Sequence, residues 1–156
     1  MIVEFIEGRD FMTAWVLTPA AHRIAVLSLN GREMTVSRSR ILNSREFPDP
    51  GDKRARLELL RASDATRRNL ASEVKLDELW EVLDGEGPLL SYELLADLYF
   101  GDNSGADELS AVTRAVFNDG LKFKFSPEGA VRHSREEVER LIAAREEAAA
   151  AERSLD

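Results

Sequence analysis

Between residues 76 and 133 the hydrophobic period of the chain changes once, from 3.6 residues to 2, and that change limits the fold more than any other feature. Leu76, Leu79, Trp80 and Leu83 recur at i, i+3, i+4 and i+7 and so share one face of a helix, which Gly85, Gly87 and Pro88 stop. Ser91 offers an N-cap hydroxyl to a second helix over 92–100, with Leu94, Leu95, Leu98 and Tyr99 predicted to point inward and Gly101 at its end. A third helix is predicted after Asp102-Asn103-Ser104-Gly105, carrying Leu109, Val112, Ala115 and Val116 to Phe117 before Asn118-Asp119-Gly120 closes it. From there Leu121, Phe123 and Phe125 alternate with Lys122, Lys124 and Ser126, the pattern of a half-buried strand. Pro127-Glu128-Gly129 reads as a turn and 130–133 as the returning strand.

Three short helices followed by a two-stranded wing predict a winged helix-turn-helix domain over 76–133. The predicted fold class is α+β, with three further segments around that domain. Residues 1–48 read as a small SH3-like β-barrel of about four strands: a run from Val3 and Phe5, a second over 11–17, a third over 22–29 and a fourth over 32–37. Asn30-Gly31 is the hairpin signal between the last two, since both residues accept positive φ in a type I′ turn. Residues 49–75 are a linker, marked by Pro48, Pro50 and Gly51, and a basic helical segment that Asp52 can cap, either one helix or two with a bend. Residues 134–156 form a connector helix opened by the Ser134/Glu137 capping box, with Val138, Leu141 and Ile142 as one buried turn and an alanine-rich distal end left exposed or docked on something outside the chain.

Composition narrows the function. No apolar run approaches the roughly 20 residues that span a bilayer, and the acidic opening lacks the basic n-region of a signal peptide. With no cysteine there is no disulfide or thiolate chemistry, which suits a reducing compartment, so a cytoplasmic protein with no membrane partner is expected. The net charge of −8 conceals a partition: residues 1–75 hold 13 Lys+Arg against 10 Asp+Glu, and residues 76–156 hold 8 against 19. A polyanion is attracted to the first part and repelled by the second, so nucleic-acid contacts are expected upstream of Leu76.

No catalytic constellation is legible, and no metal site. His22 and His133 stand in no ligand spacing, the acid pairs Glu136-Glu137 and Glu146-Glu147 fit solvated helix faces, and no Gly-rich phosphate loop exists. DNA is an unlikely partner for the winged domain, because Asp107 and Glu108 occupy the turn of the third helix that would face phosphates and Arg114 is its one cation. The candidate RNA-binding residues are Arg9, Arg23, Arg32, Arg38 and Arg40 of the barrel, Lys53 and Arg54 of the basic helix, and Lys122 and Lys124 of the wing. The two wing lysines equally suit the wet face of a strand whose phenylalanines fill the core, and Trp15, inside an apolar run, suits core better than base stacking.

Several stretches together resemble the N-terminus of ribonuclease II family proteins: VEFIEGRDF at 3–11, AWV at 14–16, LNGRE at 29–33, SRSRIL at 37–42, LASEVKLDELW at 70–80, LADLYFG at 95–101 and LKFKF at 121–125. The family, also called the ribonuclease R or RNB family, consists of processive, hydrolytic 3′-to-5′ exoribonucleases that degrade single-stranded RNA with Mg²⁺ held by an aspartate cluster. The resemblance implies an N-terminal accessory region that helps handle RNA and docks on its own catalytic domain, with the Mg²⁺ site in that domain and no catalytic residue here. A shorter barrel and an acidic winged domain depart from the oligonucleotide-binding barrels that open better-known members. Two other classes compete: a free-standing winged-helix DNA-binding regulator and a protein-interaction adaptor.

Overall fold

A computed structural model describes residues 1–102 and 104–155. Asn103 of the predicted inter-helix loop and Asp156 of the predicted terminal helix lie outside the described residues. The chain is α+β, with two antiparallel sheets and, among the described residues, five α-helices.

β1 (Ile2–Glu7), β2 (Asp10–Thr18), β3 (Arg23–Ser28) and β4 (Glu33–Ser37) form an antiparallel meander. A single 3₁₀ turn over Arg38–Arg40 then carries the chain back, so that β5 (Asn43–Arg45) pairs with the free edge of β1. The order β4-β3-β2-β1-β5 leaves β4 and β5 as edges, and the sheet is not closed into a barrel by hydrogen bonds among the described residues. The expected type I′ turn at Asn30-Gly31 is replaced by another. Only Gly31 has positive φ, at +87°, and the Gly31 amide donates to the Ser28 carbonyl while the Ser28 amide donates to that of Arg32. The loop is thus one residue longer than a two-residue hairpin and ends in a left-handed glycine, where the Asn30 side chain caps the Arg32 amide instead of taking positive φ itself.

Both faces of β1 are covered, which strand alternation alone does not announce. Val3 and Phe5 face Ala14, Ile24, Val26 and Val36 in one apolar cluster, while Ile2 joins Trp15, Leu27 and Leu60 in another. Leu60 belongs to α1 (Lys53–Glu73), a single unbroken helix whose first turn is capped by Asp52 accepting from the Ala55 amide at 2.8 Å. The basic segment is therefore one helix laid across the sheet. Trp15, 4% exposed, is core.

α2 (Leu76–Val82), β6 (Leu89–Leu90), α3 (Tyr92–Phe100), α4 (Ala106–Asp119), β7 (Phe123–Ser126) and β8 (Gly129–Arg132) follow, and the second sheet runs β6-β8-β7. Their core is apolar: Leu76, Leu79, Trp80, Leu83, Leu95, Val112, Val116 and Phe123 pack together with Val138 of α5 (Arg135–Ser154). α3 departs from expectation. Tyr92, Leu95 and Ala96 point inward, while Leu94 and Leu98 are 39% and 48% exposed. Nearly every residue of this short helix is apolar, so periodicity could not set its rotation; the Tyr92 hydroxyl, donating to the Ser126 carbonyl at 2.7 Å, does. Gly129 has no positive φ. It is small because a Cβ there would lie 2.6 Å from the Leu90 carbonyl oxygen of the neighbouring strand. In α5, Ser134 caps as expected and Val138 is buried, but Ile142 is exposed and so is most of the helix beyond it.

Candidate functional site

The predicted cationic residues divide by what their side chains already do. Arg32 forms an ion pair with Glu7 through Nη2 at 2.7 Å, and Arg38 donates to the Ala20 carbonyl through Nε and Nη2. Arg40 donates to the Ile6 carbonyl and lies over the Phe5 ring. These three guanidinium groups stitch turns of the sheet together. Lys122 rests 4.1 Å above the Trp80 ring, which Arg132 and Arg135 also approach, and contacts Asp77 at 4.0 Å. The wing lysines are thus unequal: Lys122 is packed, and Lys124 is exposed. Arg9, Arg23 and Lys53 are exposed on the sheet turns and at the start of α1, and Arg54 is exposed in a loose pair with Glu58. The structure does not gather the nine into one patch.

The functional geometry that sequence reasoning missed lies on the two sides of α1. Its inner side carries a buried chain of charges. Glu4, fully buried on β1, has Oε1 2.7 Å from Arg67 Nη1, and its Oε2 accepts from Arg114 Nη2 and, at 3.2 Å, from the Thr13 hydroxyl. Arg114 on α4 also donates through Nη1 to Asp64 at 2.8 Å and through Nε to Ser110. Arg67 donates through Nε to Asp107 at 2.8 Å, and Arg45 reaches the other oxygen of that carboxylate. Burial opposes the charge on Arg114, but Glu4 and Asp64 outweigh it, so its pKa is raised. Three acids and the arginines Arg67 and Arg114 thereby join β1, α1 and α4, Arg67 holding Glu4 by ion pairing while its Nη1 and Nη2 have no hydrogen-bond partner among the described residues. Asp107, read from sequence as an obstacle to phosphate, is a partner for arginine.

The outer side of α1 is wet and basic. Arg54, Arg61 and Arg68 recur at seven-residue intervals and all are exposed. Arg68 holds Asp64 at 2.5 Å with its side chain still 72% exposed, and Arg61 makes no ion pair among the described residues. Beside Arg68 a groove of about 820 Å³ opens between α1, α2 and α4, where Phe11, Lys75 and Arg114 line it together with the acids Asp64, Asp77, Glu78 and Asp119. A spacing of seven was available in the sequence as the signal for this row. No spacing pointed to Glu4.

No nucleophile stands beside a base in this groove. Among the described residues, no three His, Cys, Asp or Glu side chains gather closely enough to hold a metal ion. His133 is occupied in tying the wing, its Nδ1 2.7 Å from the Leu121 carbonyl oxygen. No described helix is long and apolar enough to cross a membrane. No family model, curated protein or solved structure matches this chain.

Proposed function

We propose that these residues form the N-terminal accessory region of a ribonuclease II-type 3′-to-5′ exoribonuclease, in which they handle single-stranded RNA while an aspartate-rich catalytic domain elsewhere binds Mg²⁺ and cuts. The observation that carries this reading is the separation of charge: exposed cations lie on α1 and the sheet turns, and the helical and wing part that follows is acidic. Phosphate contacts supply most non-specific affinity for nucleic acid, so the front part is suited to guide a strand. The order of parts is a second support. A four-stranded meander whose fifth strand, after a 3₁₀ turn, pairs back onto the first suits an SH3-like barrel, and helix, strand, two helices and a hairpin with strand order β6-β8-β7 suit a winged helix.

A DNA-reading winged helix draws no support from this arrangement. α4, the helix that would enter a groove, has Ser110, Ala111, Thr113 and Arg114 buried on the side that meets α1 and the sheet. Docking on the parent catalytic domain is favoured by a separate observation, the exposure of Leu94 and Leu98 one turn apart on α3.

The test is the native gene product. It is expected to be several-fold heavier than 17.5 kDa, and deleting residues 1–156 from it should impair degradation of structured RNA while leaving Mg²⁺-dependent hydrolysis of short single strands. A native product of about 17.5 kDa would remove the proposal.

A further inference from the structure

From the outer face of α1 we infer a track for the phosphodiester backbone of single-stranded RNA, with Arg54, Arg61 and Arg68 as successive phosphate contacts and Lys75 at the groove end. The inference rests on the RNA-handling reading and names its surface.

Seven residues are almost two full turns, so the three arginines fall in one row, about 10.5 Å between neighbours and about 21 Å from first to last. Between Arg61 and Arg68 the exposed residues are Ala62, Ala65 and Thr66, with Asn69, Ser72 and Glu73 beyond, and the exposed acid along the row is Glu58, between Arg54 and Arg61. Small neutral side chains let a backbone approach the helix closely while the guanidinium groups reach its oxygens. Arg54 is held only by Glu58 at 3.4 Å with both side chains mostly exposed, a pair worth little and readily exchanged for phosphate. The row is also rigid, because Leu60 and Arg67 fix another side of the same helix in the interior and buried Asp64 holds Arg68 from beside the row. Such pre-ordering lowers the entropic cost of binding.

An acidic protein is the other partner that charge would allow. Protein interfaces are anchored by large apolar or aromatic side chains, and the exposed ones here are Val82, Leu89, Leu94, Leu98, Ile142 and Leu155, none of them on α1. α1 carries no aromatic, which points to backbone contact along the row, with half-buried Phe11 beside the groove at its end; a single row serves one strand, whereas a duplex brings a second row of phosphates toward Asp77 and Glu78, which line that groove.

The test uses fluorescence anisotropy with the full chain and an oligouridylate of about 16 nucleotides, titrated between about 50 and about 200 mM NaCl. Replacing two contacts in Arg54→Glu/Arg61→Glu should weaken binding at least roughly tenfold and lower the log–log salt slope by about 1.4, at about 0.7 per contact. Arg61→Lys should retain the slope, and Arg68→Gln, which leaves no like charge beside Asp64, should lower it by about 0.7. Circular dichroism checks that each variant is folded. If Arg54→Glu/Arg61→Glu binds like the parent while Arg9→Glu/Lys124→Glu loses affinity, the track is wrong and RNA handling stands. Tighter binding to duplex RNA of equal length, or displacement by polyglutamate as effective as by unlabelled RNA, also overturns the track. No binding at about 50 mM NaCl sinks both it and the function it rests on.

Discussion

The seam that joins β1, α1 and α4 and the core beneath the second sheet are both buried, yet they are built from opposite chemistry. Around Trp80, Leu95, Val112 and Phe123 burial is apolar, and stability follows from area removed from water. Around Glu4, Arg67 and Arg114 it is ionic, and much of the attraction is cancelled by the cost of desolvating the charges. An apolar core tolerates neighbours of about the right size. A carboxylate at zero exposure accepts only a partner that brings a cation to one point, so the seam dictates how α1 and α4 sit on the sheet while the core mostly supplies cohesion.

Removing one member of the seam should give the largest effect. Arg114→Ala leaves Glu4 and Asp64 without their shared cation and should cost about 3–5 kcal/mol in urea denaturation. Replacing Glu4, Asp64, Arg67 and Arg114 together by Leu, Leu, Met and Met should cost much less than that, and a quadruple variant as unstable as the single one would break the comparison. In the apolar region the sensitive point is steric: Gly129→Ala drives a methyl against the Leu90 carbonyl and should cost about 1–3 kcal/mol by the same assay. Ser91→Ala removes the hydroxyl that accepts from the Leu94 amide at 3.1 Å, for a loss of about 1 kcal/mol.

The smallest effect comes from the same chemistry placed in water. The Arg56 guanidinium, followed by the Gly51 amide, lowers the Asp49 pKa to about 2. A carboxyl depressed on folding adds stability above its unfolded pKa and loses it as pH falls through that value toward 2. NMR titration should therefore place Asp49 near pH 2 and return it toward the ordinary carboxylate range in Arg56→Ala, with little change in melting temperature at neutral pH. A large loss of stability there would erase the contrast between exposed and buried pairs.

Much of the fold was legible because caps and periods are local. Ser91, Asp52 and Ser134 cap the helices expected of them, the switch of period after Asp119 marks the antiparallel pair β7 and β8, and Leu76, Leu79, Trp80 and Leu83 are buried together. What escaped was set by distant partners. The rotation of α3 depends on a hydroxyl bond to Ser126, the smallness of Gly129 on a strand nearly forty residues earlier, and the burial of Glu4 on arginines more than sixty residues away. The candidate surface was half visible: Lys53 and Arg54 were marked, Arg32, Arg38, Arg40 and Lys122 also make contacts within the fold, and Arg61 and Arg68, seven and fourteen residues after Arg54, were not marked.

The charged seam has a bearing on how this chain can be divided. Its members come from positions 4, 64, 67, 107 and 114, so every cut between the first strand and the fourth helix separates an ion from its counterion. Expressed alone, a piece holding only the strands must open to water around Glu4, and a piece holding only the helices leaves two guanidinium groups without their shared carboxylate. Shuffling either half onto another scaffold would then require carrying, or silencing, its share of the set.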